Sequence, residues 1–231
     1  MKRFAIWTGL PLLVLLALIV FFMMDAQPKA TPASPVGQNE ESTPVKRILV
    51  AFGDSLTAGY GISLEDAYPK QLELALKEKG YNVSIVNSGV SGETTAGGVR
   101  RVEFIRDQRP ELVLLGLGAN DALRRIPVEE TEKNLRLILD VLRDAKIPVV
   151  LLGMKSPLNA GLAYAQDFNA IYPRLSDEYD VPLVEFFLEG VALRRELNID
   201  DGIHPNREGY KTIVAENLLP VILPVAKSLF Q

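Results

Sequence analysis

Five short apolar runs constrain this chain more than any other feature. They are Ile48 to Phe52, Val83 to Val86, Leu112 to Leu117, Val149 to Leu152 and Val181 to Val184. Each is rich in Val, Ile or Leu and lacks strict alternation, as strands buried on both faces do. Helix signals separate them. Leu72, Ala75 and Leu76 share one face before Gly80, and Leu135, Ile138, Leu139 and Leu142 keep the helical spacing as far as Pro148. A less regular segment spans 164–179. Asn206 is a suitable N-cap for a last helix, which Pro220 and Pro224 should break or kink. Alternation of this kind predicts an α/β domain over 46–231, with a mainly parallel sheet covered on both faces.

In such sheets ligands bind beyond the carboxyl ends of the strands. The polar motifs fall at those ends. Gly53-Asp54-Ser55 follows the first run, Asn87-Ser88-Gly89 the second, and Gly118-Ala119-Asn120-Asp121 the third. The chain has one histidine, His204, in Asp201-Gly202-Ile203-His204-Pro205-Asn206. A serine nucleophile needs a base, and histidine is the usual one near neutral pH. A hydrolase reading therefore has to pair Ser55 with His204. Asp201, three residues earlier across Gly202, would orient the imidazole. The backbone N–H groups of Ser55 and Gly89 and the Asn120 amide are candidate oxyanion donors. Asp54 and Asp121 are read as structural, holding their loops through local hydrogen bonds. Gly116-Leu117-Gly118 is not a dinucleotide fingerprint, because Asp121 stands where the third glycine belongs.

Composition removes several classes. With no cysteine there is no disulfide framework, no thiolate zinc site and no cysteine nucleophile. One histidine argues against a di-metal hydrolase, although aspartate-only magnesium sites stay open. No cofactor is expected. The net charge of −4 and the lack of a basic run argue against nucleic acid as a partner. The expected partner is a small ester or acyl-lipid substrate, and nothing in the sequence identifies a protein partner.

Phe4 to Met24 carries no charge. As a helix it would be about 31 Å long, against a hydrocarbon core of about 30 Å. Lys2 and Arg3 precede it, which by the positive-inside tendency keeps the N-terminus cytoplasmic and exports the rest. The stretch exceeds the roughly 7–15 apolar residues of a cleaved signal peptide, and Met24-Asp25-Ala26 is a poor cleavage site. Residues 1–24 are thus expected to be a signal-anchor that holds the chain on the cytoplasmic membrane with its catalytic domain outside; cleavage would make the domain secreted. Residues 25–45, with Pro28, Pro32, Pro35 and Pro44, read as a flexible linker.

Four blocks, taken together, resemble the SGNH hydrolases, also called the GDSL family. They are Gly53 to Gly61, Asn87 to Thr95, Gly118 to Asp121, and Asp201 to Asn206. Ile171-Tyr172-Pro173, Asp180-Val181-Pro182-Leu183 and Phe186-Phe187-Leu188-Glu189 further resemble the bacterial arylesterase, lysophospholipase and acyl-thioesterase branch. The resemblance implies a flavodoxin-like three-layer α/β/α sandwich on a five-stranded sheet, with no cofactor. It also implies a triad of Ser55, Asp201 and His204, with an oxyanion hole from Ser55, Gly89 and Asn120. Two departures stand out. Ala119 stands where many relatives have a second glycine, a strained choice only if its φ is positive. Glu185 stands where proline is common and is expected to bear on one pocket wall.

The expected activity is hydrolysis of carboxylic esters or thioesters through an acyl-Ser55 intermediate. The loop Met154 to Leu162 reads either as the border of an acyl groove or as plain surface. The same triad would serve carbohydrate O-deacetylation or acyl transfer in the cell envelope. A membrane-tethered binding module with a dead site is the third reading, and the complete set of catalytic elements argues against it.

Overall fold

The computed structural model describes residues 46–230. The expected membrane segment and linker lie outside the described residues. In chain order the strands are β1 (Arg47–Gly53), β2 (Val83–Gly89), β3 (Leu112–Gly116), β4 (Val149–Leu152) and β5 (Leu183–Val184). All pair in parallel, in the order β2-β1-β3-β4-β5. Leu49 to Phe52, Leu112 to Leu115 and Val149 to Leu152 are buried throughout, which explains their unbroken apolar character. This order reverses between β1 and β3, the switch point at which a cleft opens above the sheet.

The helices are α1 (Ser55–Ala58), α2 (Tyr68–Glu78), α3 (Thr95–Asp107), α4 (Ala119–Leu123), α5 (Val128–Asp144), α6 (Leu162–Asn169), α7 (Ile171–Tyr179), α8 (Arg207–Thr212) and α9 (Leu219–Phe230). α3 packs on α5, and α5 on α6 and α7, while α2 packs with the C-terminal helices. Two outcomes differ from the sequence reading. The segment expected at 164–179 is two helices that meet at Ala170. α3 carries no clear sequence signal, because Gly97 and Gly98 lie in its first half. Its glycines are packing residues: a Cβ on Gly98 would collide with Leu117 and press on Ile138.

Asn206 caps α8 as expected, accepting from Gly209 N–H at 3.0 Å. α8 then runs through a π-helical stretch, Ile213–Leu218, into α9. By length and composition Arg207–Phe230 would suit a membrane span. Its Tyr210, Ile213, Leu218 and Ile222 are instead wholly buried in the core.

Candidate active site

Three strand ends finish level. Gly53 pairs with Gly89 on one side and with Gly116 on the other. The loops that follow β1, β2 and β3 therefore start at one height, above the switch point.

After β1 the chain turns directly into α1, with Ser55 as its first residue. Asp54 caps this turn by accepting from Leu56 N–H at 3.0 Å, and Gly59 ends it in the left-handed region at φ 76°. Two buried tyrosines pin the short helix from below. Tyr210 donates to the Leu56 carbonyl at 2.8 Å, and the Tyr68 hydroxyl lies 3.3 Å from Thr57 Oγ1.

His204 is presented by a loop that is itself held by backbone hydrogen bonds. Asn198 and Pro205 form an antiparallel bridge, and Ile199 N–H donates to the His204 carbonyl at 2.9 Å. The tight turn passes through Gly202 at φ 70°. Asp201 Oδ1 accepts from the N–H groups of Ile203 at 2.8 Å and His204 at 3.0 Å. Its other oxygen lies 2.7 Å from His204 Nδ1, and His204 Nε2 lies 2.8 Å from Ser55 Oγ. The three predicted triad residues are thus in one hydrogen-bonded line. Desolvation pushes the Asp201 carboxyl up, but the two N–H groups and the imidazole outweigh it and hold its pKa below the usual carboxylate value. The Tyr60 ring sits 4.8 Å from the imidazole, centroid to centroid.

Asn120 lies in α4, which begins directly after Gly118 at φ 117°. Ala119 is not among the positive-φ residues, so alanine there is unstrained. The Asn120 amide donates to the Glu93 carbonyl at 3.0 Å and to Asp54 Oδ2 at 3.3 Å. Desolvation raises the wholly buried Asp54 carboxyl to a pKa of about 7, against the lowering effect of its donors. Asp121 holds α3 in place, accepting from Thr95 N–H at 2.9 Å and Thr95 Oγ1 at 2.5 Å. Asp54 bonds within its own turn, whereas the bonds of Asp121 reach Thr95, 26 residues away, rather than its own loop.

Gly89 requires a correction. Its N–H is taken by Asn87 Oδ1 at 3.0 Å, and it does not line the cleft. It is glycine because a Cβ would collide with the backbone of Ala58, where β2 passes under α1. The cleft is lined by Gly92 instead, at φ 79°, whose N–H has no partner among the described residues. Both glycines lie in one block, three residues apart, and only the turn geometry separates them.

Sequence reasoning also missed Arg101. Its Nε donates to both Glu93 carboxylate oxygens at 2.8 Å, and its NH2 donates to the carbonyls of Ser88 at 2.9 Å and Gly53 at 3.1 Å. The guanidinium stacks 4.5 Å from the Phe52 ring. One side chain in α3 thereby ties the ends of β1 and β2 to Glu93, whose carbonyl holds Asn120. An arginine in a helix with weak periodicity carries no sequence signal for this.

The cleft beside Ser55 and His204 has a volume of about 480 Å³. Leu56, Met154, Pro157, Phe186 and Leu188 make its walls largely apolar. Met154 to Pro157 border it, whereas Leu162 at the far end of the same loop does not. Glu185 is exposed and lies outside the lining; Phe186 forms that wall. No cluster of three or more metal-ligating side chains occurs among the described residues.

A parallel α/β sheet with a Ser-His-Asp line at its switch point is the architecture of a serine hydrolase. The chain belongs to the GDSL-like Lipase/Acylhydrolase family, whose profile matches residues 51–212. It is 36% identical over 209 residues to an arylesterase of Vibrio mimicus, covering 89% of this chain and 97% of that protein. It is 39% identical over 178 residues to thioesterase 1/protease 1/lysophospholipase L1 of Escherichia coli K12, covering 75% and 84%. Among solved structures, the SGNH-hydrolase family esterase AlinE4 is 44% identical with a TM-score of 0.67, covering 81% of this chain and 99% of that one. The structure of TesA is 32% identical with a TM-score of 0.74, covering 78% and 99%. The protein is a serine ester hydrolase with the SGNH-hydrolase fold.

Proposed function

We propose that Ser55, His204 and Asp201 are the catalytic triad of this hydrolase. The observation that carries the assignment is the line from Asp201 through His204 to Ser55 at 2.7 and 2.8 Å, in a chain with no other histidine. Ser55 Oγ attacks the acyl carbon as its proton passes to His204 Nε2. His204 returns that proton to the departing alkoxide or thiolate, leaving acyl-Ser55. Water then attacks the acyl carbon, His204 takes its proton, and the released Ser55 oxygen recovers it. Asp201 fixes the tautomer and stabilises the imidazolium.

The oxyanion is held by the N–H groups of Ser55 and Gly92 and by the Asn120 amide. Both amide hydrogens of Asn120 are engaged before substrate arrives. The oxyanion takes the one held by Asp54 at 3.3 Å, while the Glu93 carbonyl keeps the other and fixes the side chain.

The apolar walls favour an acyl chain over a bare acetyl group, so the proposed substrates are aryl, thio- or lysophospholipid-type acyl esters. The apolar segment Phe4 to Met24 is proposed to anchor the chain with its catalytic domain outside the cytoplasm. Its mature mass and protease accessibility in intact cells test this.

A fluorophosphonate probe and short p-nitrophenyl esters test the triad. Ser55→Ala should lose labelling and turnover while its circular dichroism stays unchanged. Full activity in that variant sinks the assignment.

A further inference from the structure

Exposed apolar side chains gather at the mouth of the cleft. Four apolar side chains that line it stand in solvent: Leu193 at 95% exposed, Leu123 at 52%, Tyr60 at 51% and Ile203 at 49%. They come from four separate segments, which surround one opening. Leu193 is also held at φ 63°, in the left-handed region that costs an L-residue energy. Neither its exposure nor its backbone contributes to folding.

Basic residues adjoin this rim in the sequence. The two leucines of this rim are each followed by two arginines, in Leu123-Arg124-Arg125 and Leu193-Arg194-Arg195. All four arginines are exposed, and none pairs with a carboxylate among the described residues. Arg124 and Arg125 donate to the carbonyls of Gly92 and Asn159, both at 2.8 Å, and keep their charge uncompensated. Among the other described arginines only Arg100 and Arg109 likewise lack an acidic partner, while Arg47, Arg101, Arg136, Arg174 and Arg207 are among those that have one. Lys155, in the cleft wall, is paired with Glu189 at 3.6 Å, and Glu196 and Asp200 are the exposed carboxylates next along the chain. Four arginines without a carboxylate partner among the described residues thus adjoin an apolar rim, in a chain whose net charge is −4.

We infer that this mouth is a docking surface for an anionic phospholipid bilayer. Leu193, Leu123, Ile203 and Tyr60 enter the acyl-chain boundary, and the paired arginines meet the lipid phosphates. Apolar tips backed by basic residues bind in this way, through buried area and electrostatic attraction together. Docking places the opening beside Ser55 against the acyl chains, so a lipid substrate reaches the cleft without crossing water. The inference rests on the proposed acyl substrate only for its purpose. The surface itself is independent of Ser55 chemistry.

The test uses the full chain in a Ser55→Ala background, so that loss of hydrolysis has no bearing on it. Trp7 is the only tryptophan and is replaced by phenylalanine. A reporter indole is placed by Leu193→Trp, or by Phe104→Trp on exposed α3 outside the cleft. Each chain is reconstituted in phosphatidylcholine vesicles with or without phosphatidylglycerol, with bromines on the acyl chains. The indole at position 193 should be quenched several-fold more strongly than the one at position 104. That difference should grow with the phosphatidylglycerol fraction and shrink at high salt. Arg194→Gln with Arg195→Gln should weaken the dependence on phosphatidylglycerol, and adding Arg124→Gln with Arg125→Gln should remove it. Equal quenching at the two positions overturns the docking surface. Preferential quenching that ignores lipid charge overturns the role of the arginines. Protection of position 193 by a soluble acidic protein, without quenching by lipid, assigns the face to a protein instead.

Discussion

Arg101→Ala separates positioning from mere packing. The guanidinium is the fork that holds Glu93, whose side chain is almost wholly buried, together with the Ser88 and Gly53 carbonyls. Removing one partner of a buried pair costs about 3–5 kcal/mol, because the other charge is left without compensation. Arg101 retains some solvent contact, so the lower end, about 3 kcal/mol, is expected. With a urea m-value of about 2 kcal/mol/M, the unfolding midpoint should fall by about 1.5 M. The chain should remain folded in buffer. The catalytic consequence passes through Glu93, whose carbonyl fixes Asn120 at 3.0 Å. A donor displaced by about 1 Å loses much of the roughly 10²–10³ that an oxyanion donor supplies. Turnover of p-nitrophenyl butyrate at saturation should therefore drop by about 10–100-fold, with KM within about twofold. Arg101→Lys keeps the charge without the fork and should fall between the two. An Arg101→Ala enzyme that loses stability yet keeps its kcat refutes the positioning argument.

Three further outcomes are expected. Asn120→Ala should lower kcat by about 10²–10³ with little change in KM, and a change confined to KM would remove Asn120 from the oxyanion hole. The Asp54 carboxyl, with its pKa raised to about 7, holds a proton in the folded chain that the unfolded chain has released. Its contribution is complete below about pH 4 and is lost as pH rises towards 7, about 4 kcal/mol in all. Asp54→Asn should flatten the decline in urea midpoint between pH 4 and 7, and parallel curves for the two proteins contradict this. Gly118→Ala forces a Cβ at φ 117° into the Tyr172 hydroxyl. It should cost about 2–3 kcal/mol, and its combination with Tyr172→Phe should cost less than the sum, as a shared clash requires.

The parts of this molecule that are readable in sequence are those where one local rule decides. The buried strands are apolar whatever surrounds them, and Asp201 to His204 is a single turn that carries both its carboxylate and its imidazole. Glycine is different, because one letter serves opposite ends. Gly89 and Gly98 are glycine to admit a neighbour: the backbone of Ala58 in one case, the side chains of Leu117 and Ile138 in the other. Gly98 thereby weakens the very helix signal of α3 that would have announced Arg101. Gly92 and Gly118 are glycine to turn the backbone, with φ of 79° and 117°. From the block Asn87 to Thr95 alone, a packing glycine and a cleft glycine are indistinguishable. The distinction needs the register that sets Gly53 beside Gly89. Once that pair is level, α1 crosses directly over Gly89, whose N–H is taken by Asn87 Oδ1, and the turn that lines the cleft is the next one, at Gly92. The position of the proposed second oxyanion donor is therefore a consequence of strand register, and any change that slips β2 against β1 should move it out of reach.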